Sequence, residues 1–209
     1  MQKALTKFLI IAGPQSSGKT TVFNLLKKKY PKLSFVEEIN QYSLVNKKHM
    51  GGAFVNREIE IAITSENIRT TKKIDRTKKV VIMETDIFHV VYLEKSAGRK
   101  TAEEFFPRYL KAHKGLNPTI IFIDTKPRTS FQRRRKIYLK RIKDAGIIDL
   151  KTKKQMLEKH KKNIYDLYPL WIKYYKKIPF KKFMIKNSRK TFRKFVSELE
   201  NKAKKILED

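Results

Sequence analysis

The chain has 209 residues, 40% of them hydrophobic, enough for the core of one α/β domain with at most a small appendage. Lys and Arg total 50 against 20 Asp and Glu, a formal net charge of +30; this fits either a phosphate-rich partner such as nucleic acid or an anionic surface, or a lysine-biased composition spread over solvated helix faces. Absence of cysteine excludes disulfides, thiolate metal sites and cysteine nucleophiles, and the opening apolar run, Phe8 to Ala12, is too short for a membrane span or a signal sequence, so a cytoplasmic protein is expected.

Apolar runs alternate with longer helical patterns, the layout of a parallel sheet covered by helices. Phe8 to Ala12 predicts a first strand buried on both faces and ending at Gly13. Val22, Phe23, Leu25, Leu26 and Tyr30 form a helical stripe stopped by Pro31, and Leu33 to Val36 predicts a brief second strand. A helix is expected over Phe54 to Lys73, then a buried strand Val80 to Met83 closing in Glu84-Thr85-Asp86. Ile87 to Leu93 and Ala102 to Lys111 are helical in pattern, and Thr119 to Ile123 is a fourth strand ending in Asp124. Pro127 opens a basic helix to Lys143, broken at Asp144-Ala145-Gly146. A long helix is expected from about Lys151 to Tyr168, stopped by Pro169; Phe183 to Ile185 is a fifth strand, and Thr191 to Leu207 a closing helix. Together these predict one domain over 1–209: three layers, a five-stranded, mostly parallel sheet flanked by helices, with a small basic lid at about 126–146.

Gly13-Pro14-Gln15-Ser16-Ser17-Gly18-Lys19-Thr20 fits G-x-x-x-x-G-K-[ST] between a strand and a helix, the context that the phosphate-binding loop requires. Its backbone amides from about Gln15 to Thr20 are expected to face phosphate oxygens, with Lys19 reaching the β and γ phosphates, the Thr20 hydroxyl on Mg²⁺ and Thr21 near the α-phosphate. Mg²⁺ needs a second acid, for which Glu84 and Asp86 are candidates and Asp124 the competitor. Glu37 and Glu38, closing the second strand, are candidate bases for an acceptor hydroxyl. Arg128, Arg133, Arg134, Arg135 and Arg141 cluster where lysine otherwise supplies the charge, as expected of a segment gripping phosphate. Trp171 with Tyr174 and Tyr175 fits a core face better than base stacking, and the four histidines have no ligand-like spacing. The region from Asn40 to Asn56 suggests a substrate-side loop.

In order and spacing, these parts resemble the nucleoside and nucleotide kinase group of P-loop proteins, which includes thymidylate kinase and deoxynucleoside kinases. GPQSSGKTT looks like the group's phosphate loop, and FVEEIN is similar in place to the strand-end acidic motif that carries the base. VVIMETDIFH looks like its third-strand motif, with Thr85 where an arginine is usual; that TD pair is closer to ribosylnicotinamide kinase-like domains. PTIIFIDTKPRTSFQRRRKI is similar to the strand, proline and lid helix, which implies lid roles for Arg133 and Arg135. FMIKNS resembles the fifth strand and adenine loop, which implies that Asn187 and Ser188 lie near the base. The implied activity is an ATP- and Mg²⁺-dependent phosphotransferase acting on a nucleoside, nucleotide or similar metabolite. GTP is a weaker donor candidate, since no N-K-x-D signature is present. A nucleic-acid-associated ATPase or polynucleotide end kinase is the alternative that the +30 charge keeps open.

Overall fold

Strand β1 (Lys7–Ala12) is apolar from Phe8 to Ala12 because both of its faces are covered there. In the computed structural model, which describes residues 7–37, 39, 56–78, 80–144, 146–187 and 192–208, Phe8, Ile10 and Ala12 pack to one side of the sheet. There they meet α2 (Arg57–Lys72), a 3₁₀ turn (Asp86–His89), α3 (Val90–Ala97), α4 (Arg99–Ala112) and α6 (Leu150–Lys177). Leu9 and Ile11 point the other way, into α1 (Lys19–Lys29) and α7 (Phe192–Glu208). The period-two alternation of a strand thus builds two cores on one sheet, giving three layers.

The remaining strands are β2 (Ser34–Val36), β3 (Val80–Glu84), β4 (Thr119–Asp124) and β5 (Lys181–Lys186), ordered β2-β3-β1-β4-β5. Every pair is parallel, so the expected mostly parallel sheet is parallel throughout. Parallel pairing collects all five C-terminal ends on one edge. The chain fills positions to one side of β1 first and to the other side afterwards, so a crevice opens beyond the end of β1, where Gly13 follows. Helix α2 starts where Asn56 caps it, its Oδ1 accepting from the Ile59 amide at 2.8 Å.

Pro169 does not end the long helix, contrary to expectation: α6 runs on to Lys177. An interior proline removes one ladder bond and costs roughly 3 kcal/mol. The turns beyond it offset that cost. Trp171, 1% exposed, stacks on Phe88 at 5.5 Å and meets Tyr92 edge-on at 5.8 Å. Glu94 of α3 receives Lys173 Nζ at 2.6 and 2.7 Å and the Tyr174 hydroxyl at 2.6 Å. Burying an aromatic of this size is worth about 3–5 kcal/mol against alanine, more than the proline takes away. Trp171 and Tyr174 are therefore core residues, as their helical spacing suggests.

The basic segment forms α5 (Pro127–Asp144), which packs along α6. Tyr138 of α5 lies flat on His160 of α6, with ring centroids 4.0 Å apart. Burial, with Arg141 and Arg134 nearby, holds His160 below the usual histidine range.

Candidate active site

Three of the loop's features depend on backbone that other residues resist. Gly13 has φ +152°, and a Cβ there would lie 2.5 Å from the Ile123 carbonyl and 2.9 Å from Ser17 Oγ. Gly18, at φ +99°, serves as the N-cap of α1, and a Cβ on it would press on Phe195 at 3.1 Å. Ser16 also sits at positive φ, +56°. Gly13→Ala is expected to abolish nucleotide binding or to lower the unfolding midpoint sharply, because the atom it meets is main chain of β4 and cannot step aside. Circular dichroism melting with a nucleotide titration checks this.

The carbonyl groups from Pro14 to Gly18 all have donors. Pro14 O accepts from Ser17 N at 3.2 Å, and Gly18 O accepts from Val22 N at 3.1 Å, the first rung of α1. Gln15 O accepts from the Ser130 hydroxyl, Ser16 O from Arg133 Nη1 at 3.2 Å, and Ser17 O from Asn187 Nδ2 at 2.7 Å. In a trans peptide the N–H points opposite to the C=O of the same unit. Carbonyls held outward by α5 and by the end of β5 therefore turn the amides of Ser16 and Gly18 toward the crevice. The amides of Lys19, Thr20 and Thr21 precede the first rung and have no helical partner. Partial positive charge gathers there, with the Lys19 ammonium, 8% exposed, at the helix start.

Thr20 Oγ1 donates to Glu84 Oε1 at 2.7 Å. The β1–β3 register, with Ile11 opposite Glu84, brings the end of β3 beside the loop, and Glu84 is only 5% exposed. The following peptide extends the ladder, Thr85 N donating to Ile11 O at 2.9 Å, while Thr85 itself is strained at φ +67°. A hydroxyl and a carboxylate, both hard oxygen donors, at a helix N-terminus that gathers phosphates fit Mg²⁺ well.

Asp86, the other expected metal ligand, is turned into the helical layer. Its carboxylate accepts from the Thr71 hydroxyl at 3.1 Å and bonds His113 Nε2. The opposite ring nitrogen, Nδ1, faces the Tyr109 carbonyl at 2.8 Å. A ring whose two nitrogens both face oxygen acceptors is satisfied as the imidazolium. Burial opposes that charge, but the Asp86 carboxylate and the two hydrogen bonds outweigh it and raise His113 above its ordinary range. A histidine that binds its proton more tightly folded than unfolded contributes stability that is complete below the unfolded value of about 6.5 and fades as pH rises through the folded one. His160, held low, acts with the opposite sign as pH falls below that same unfolded value. Urea midpoints from pH 6 to 9 are accordingly expected to fall more for the natural protein than for His113→Gln.

Other expected residues are placed as follows. Glu37 is exposed and pairs with Lys27 of α1 at 2.8 Å. Glu38 and Ser188 lie outside the described residues, as does the Asn40-to-Asn56 loop up to Asn56 itself. Thr21 is exposed on the first turn of α1. Asp124 is buried and accepts from the Tyr168 hydroxyl at 2.8 Å. Asn187, expected near the adenine, is instead committed to the loop: its side chain holds Ser17 O, and its own amide donates to Asp124 O at 2.8 Å. Arg133 and Arg135 do not act together. Residues two apart on a helix point to opposite sides: both arginines are exposed, but Arg133 bonds the loop while Arg135 points away from it. Glu60 and His89, buried and 2.6 Å apart, join α2 to the turn after Glu84.

A family model for deoxynucleoside kinase matches residues 9–208. The chain belongs to the deoxynucleoside kinase family. Its fold is that of the P-loop kinases: deoxyadenosine kinase from M. mycoides with bound dATP aligns with a TM-score of 0.59 at 13% identity, over 94% of this chain and 98% of that one. Thymidylate kinase from Candida albicans gives 0.59 at 11%, covering 97% and 93%, and that from Ehrlichia chaffeensis 0.58 at 15%, covering 96% and 98%. No curated protein matches the sequence. This kinase is an enzyme, a phosphotransferase acting on nucleosides or nucleotides with a nucleotide phosphate donor. Among its described residues no helix is long and apolar enough to cross a membrane.

Sequence reasoning missed Ser130 and Tyr138 of the kinase's α5. The Tyr138 hydroxyl donates to Gln15 Oε1 at 3.1 Å. The signal was present in their spacing, since positions 130, 134 and 138 share one helix face with Arg133.

Proposed function

We propose that this kinase transfers the γ-phosphoryl group of ATP to a hydroxyl of a nucleoside. The observation that supports this most is the loop whose carbonyls from Pro14 to Gly18 are all engaged by donors, leaving the amides of Ser16, Gly18 and the first turn of α1, with Lys19, to face a polyphosphate. Thr20 and Glu84 are the residues that would hold Mg²⁺, which would offset the negative charge of the phosphates.

A strand-end carboxylate takes the proton of the acceptor hydroxyl as the acceptor oxygen forms its bond to the γ-phosphorus. The bond from that phosphorus to the β–γ bridging oxygen breaks, and ADP leaves. Glu37 is exposed and engaged with Lys27, so this reading gives the proton to Glu38. Lys19 neutralises charge on the transferring oxygens. The family membership supports a nucleoside acceptor over the alternatives raised by the charge of the chain, namely a nucleic-acid-associated ATPase or an end kinase.

The test is incubation with γ-labelled ATP against separate pools of deoxynucleosides, ribonucleosides, nucleoside monophosphates and oligonucleotides. Label is expected in the nucleoside pools. Label appearing only in monophosphates or oligonucleotides would replace this acceptor with another.

A further inference from the structure

The lid-helix arginine nearest the loop is not aimed at the place where phosphates would sit. Arg133 spreads its guanidinium between two main-chain oxygens, Nη1 to Ser16 O at 3.2 Å and Nη2 to Asn187 O at 2.9 Å. One oxygen belongs to the loop after β1 and the other to the residue after β5. Asn187 closes the circuit, its side chain on Ser17 O and its amide on Asp124 O. Ser130, one turn earlier on α5, takes Gln15 O.

We propose that Arg133 is a positioning residue: with Ser130 and Asn187 it forms a clasp on the outer face of the phosphate loop, fixing the direction of its amides before any nucleotide arrives. The inference rests on the reading of that loop as the donor site and adds how its shape is kept. Three successive carbonyls, at residues 15, 16 and 17, face a helix hydroxyl, a guanidinium and a side-chain amide. Without those donors the peptide units are free to rotate, the amides of Ser16 and Gly18 lose their aim at the crevice, and the Ser17 amide loses the geometry of its bond to Pro14 O. The planar guanidinium meets the two oxygens from two separate nitrogens in a fixed fork, an arrangement that the single ammonium of a lysine does not reproduce. Partial desolvation lowers the guanidinium's affinity for its proton; it stays charged all the same.

A clasp and an arginine that touches the transferring group differ in what they do to ADP. Loss of a clasp weakens every ligand that uses the loop amides; loss of a transition-state contact slows turnover and leaves ADP affinity almost untouched. The experiment is calorimetric titration of the full chain with ADP and with a non-hydrolysable ATP analogue, together with kcat and KM, for Arg133→Met, Arg133→Lys and Ser130→Ala. Expected for Arg133→Met is an equal loss of affinity for both nucleotides, about tenfold, with kcat changed less than KM. Arg133→Lys is expected to recover little of this, since charge is kept and the fork is not. Ser130→Ala combined with Arg133→Met is expected to cost less than the sum of the two single changes, because both hold one loop. Should Arg133→Met fail to fold, Arg133→Lys carries the same comparison. Unchanged ADP affinity with a large fall in kcat, or recovery of kcat by lysine, would overturn the clasp while leaving the donor site standing. Failure of the natural protein to bind either nucleotide would remove the donor site itself, and the clasp with it.

Discussion

Replacing Lys19 by alanine is expected to lower kcat/KM for phosphoryl transfer by about 10²–10³-fold, the usual loss on removing one donor from a preorganised anion site. The ammonium sits at the first residue of α1, where amides without helical partners already favour negative charge. In that partly dry setting its attraction for phosphate oxygens exceeds what a surface lysine provides. The fold is expected to persist, because Lys19 lies beside the loop and not within the apolar cores formed by β1 and its covers. Steady-state kinetics with a thermal melt therefore separates loss of chemistry from loss of structure. Lys19→Arg is expected to remain impaired, since a wider planar head does not replace a point charge.

The second large effect is expected at the strand-end acids. Glu38→Gln should lower kcat by about 10²–10⁴-fold with little change in nucleotide affinity, the signature of a lost general base. Glu37→Gln should be nearly silent, because the ion pair with Lys27 that it removes is exposed and such pairs contribute little. The two single variants, assayed for turnover and for ADP binding, assign the base; a silent Glu38→Gln beside a crippled Glu37→Gln reverses the assignment.

The sheet was legible because its strands are short continuous apolar runs, each ending in a residue that suits the crevice edge, such as Gly13 after Ala12 and Asp124 after Ile123. The phosphate loop was legible because its glycines answer to backbone angles and close approaches that exclude a side chain. The extent of α6 was not, since the local penalty of Pro169 is visible in the sequence while the packing of Trp171 against Phe88 and Tyr92 is a tertiary event. Asp86 misled for a related reason. Its position two residues after Glu84 suggests the crevice, and only the folded chain brings Thr71 and His113 around its carboxylate. Arg133 and Asn187 were expected at the site from the sequence, but their partners are main-chain oxygens, which leave no mark in composition or spacing.

The +30 charge belongs partly to this account and mostly outside it. Lys19 and Arg133 have defined places at the loop, whereas lysine runs such as Lys27 to Lys29 lie exposed on helix faces. The exposed apolar residues Ile148 and Leu150 stand between α5 and the body of α6.

Phosphorus-31 NMR of a mixture of ATP, magnesium, a deoxynucleoside and the enzyme tests the central claim most directly. A phosphate monoester resonance growing in step with ADP, one for one, is the predicted result. ADP accompanied by inorganic phosphate, with no monoester in the presence of any nucleoside, would contradict it.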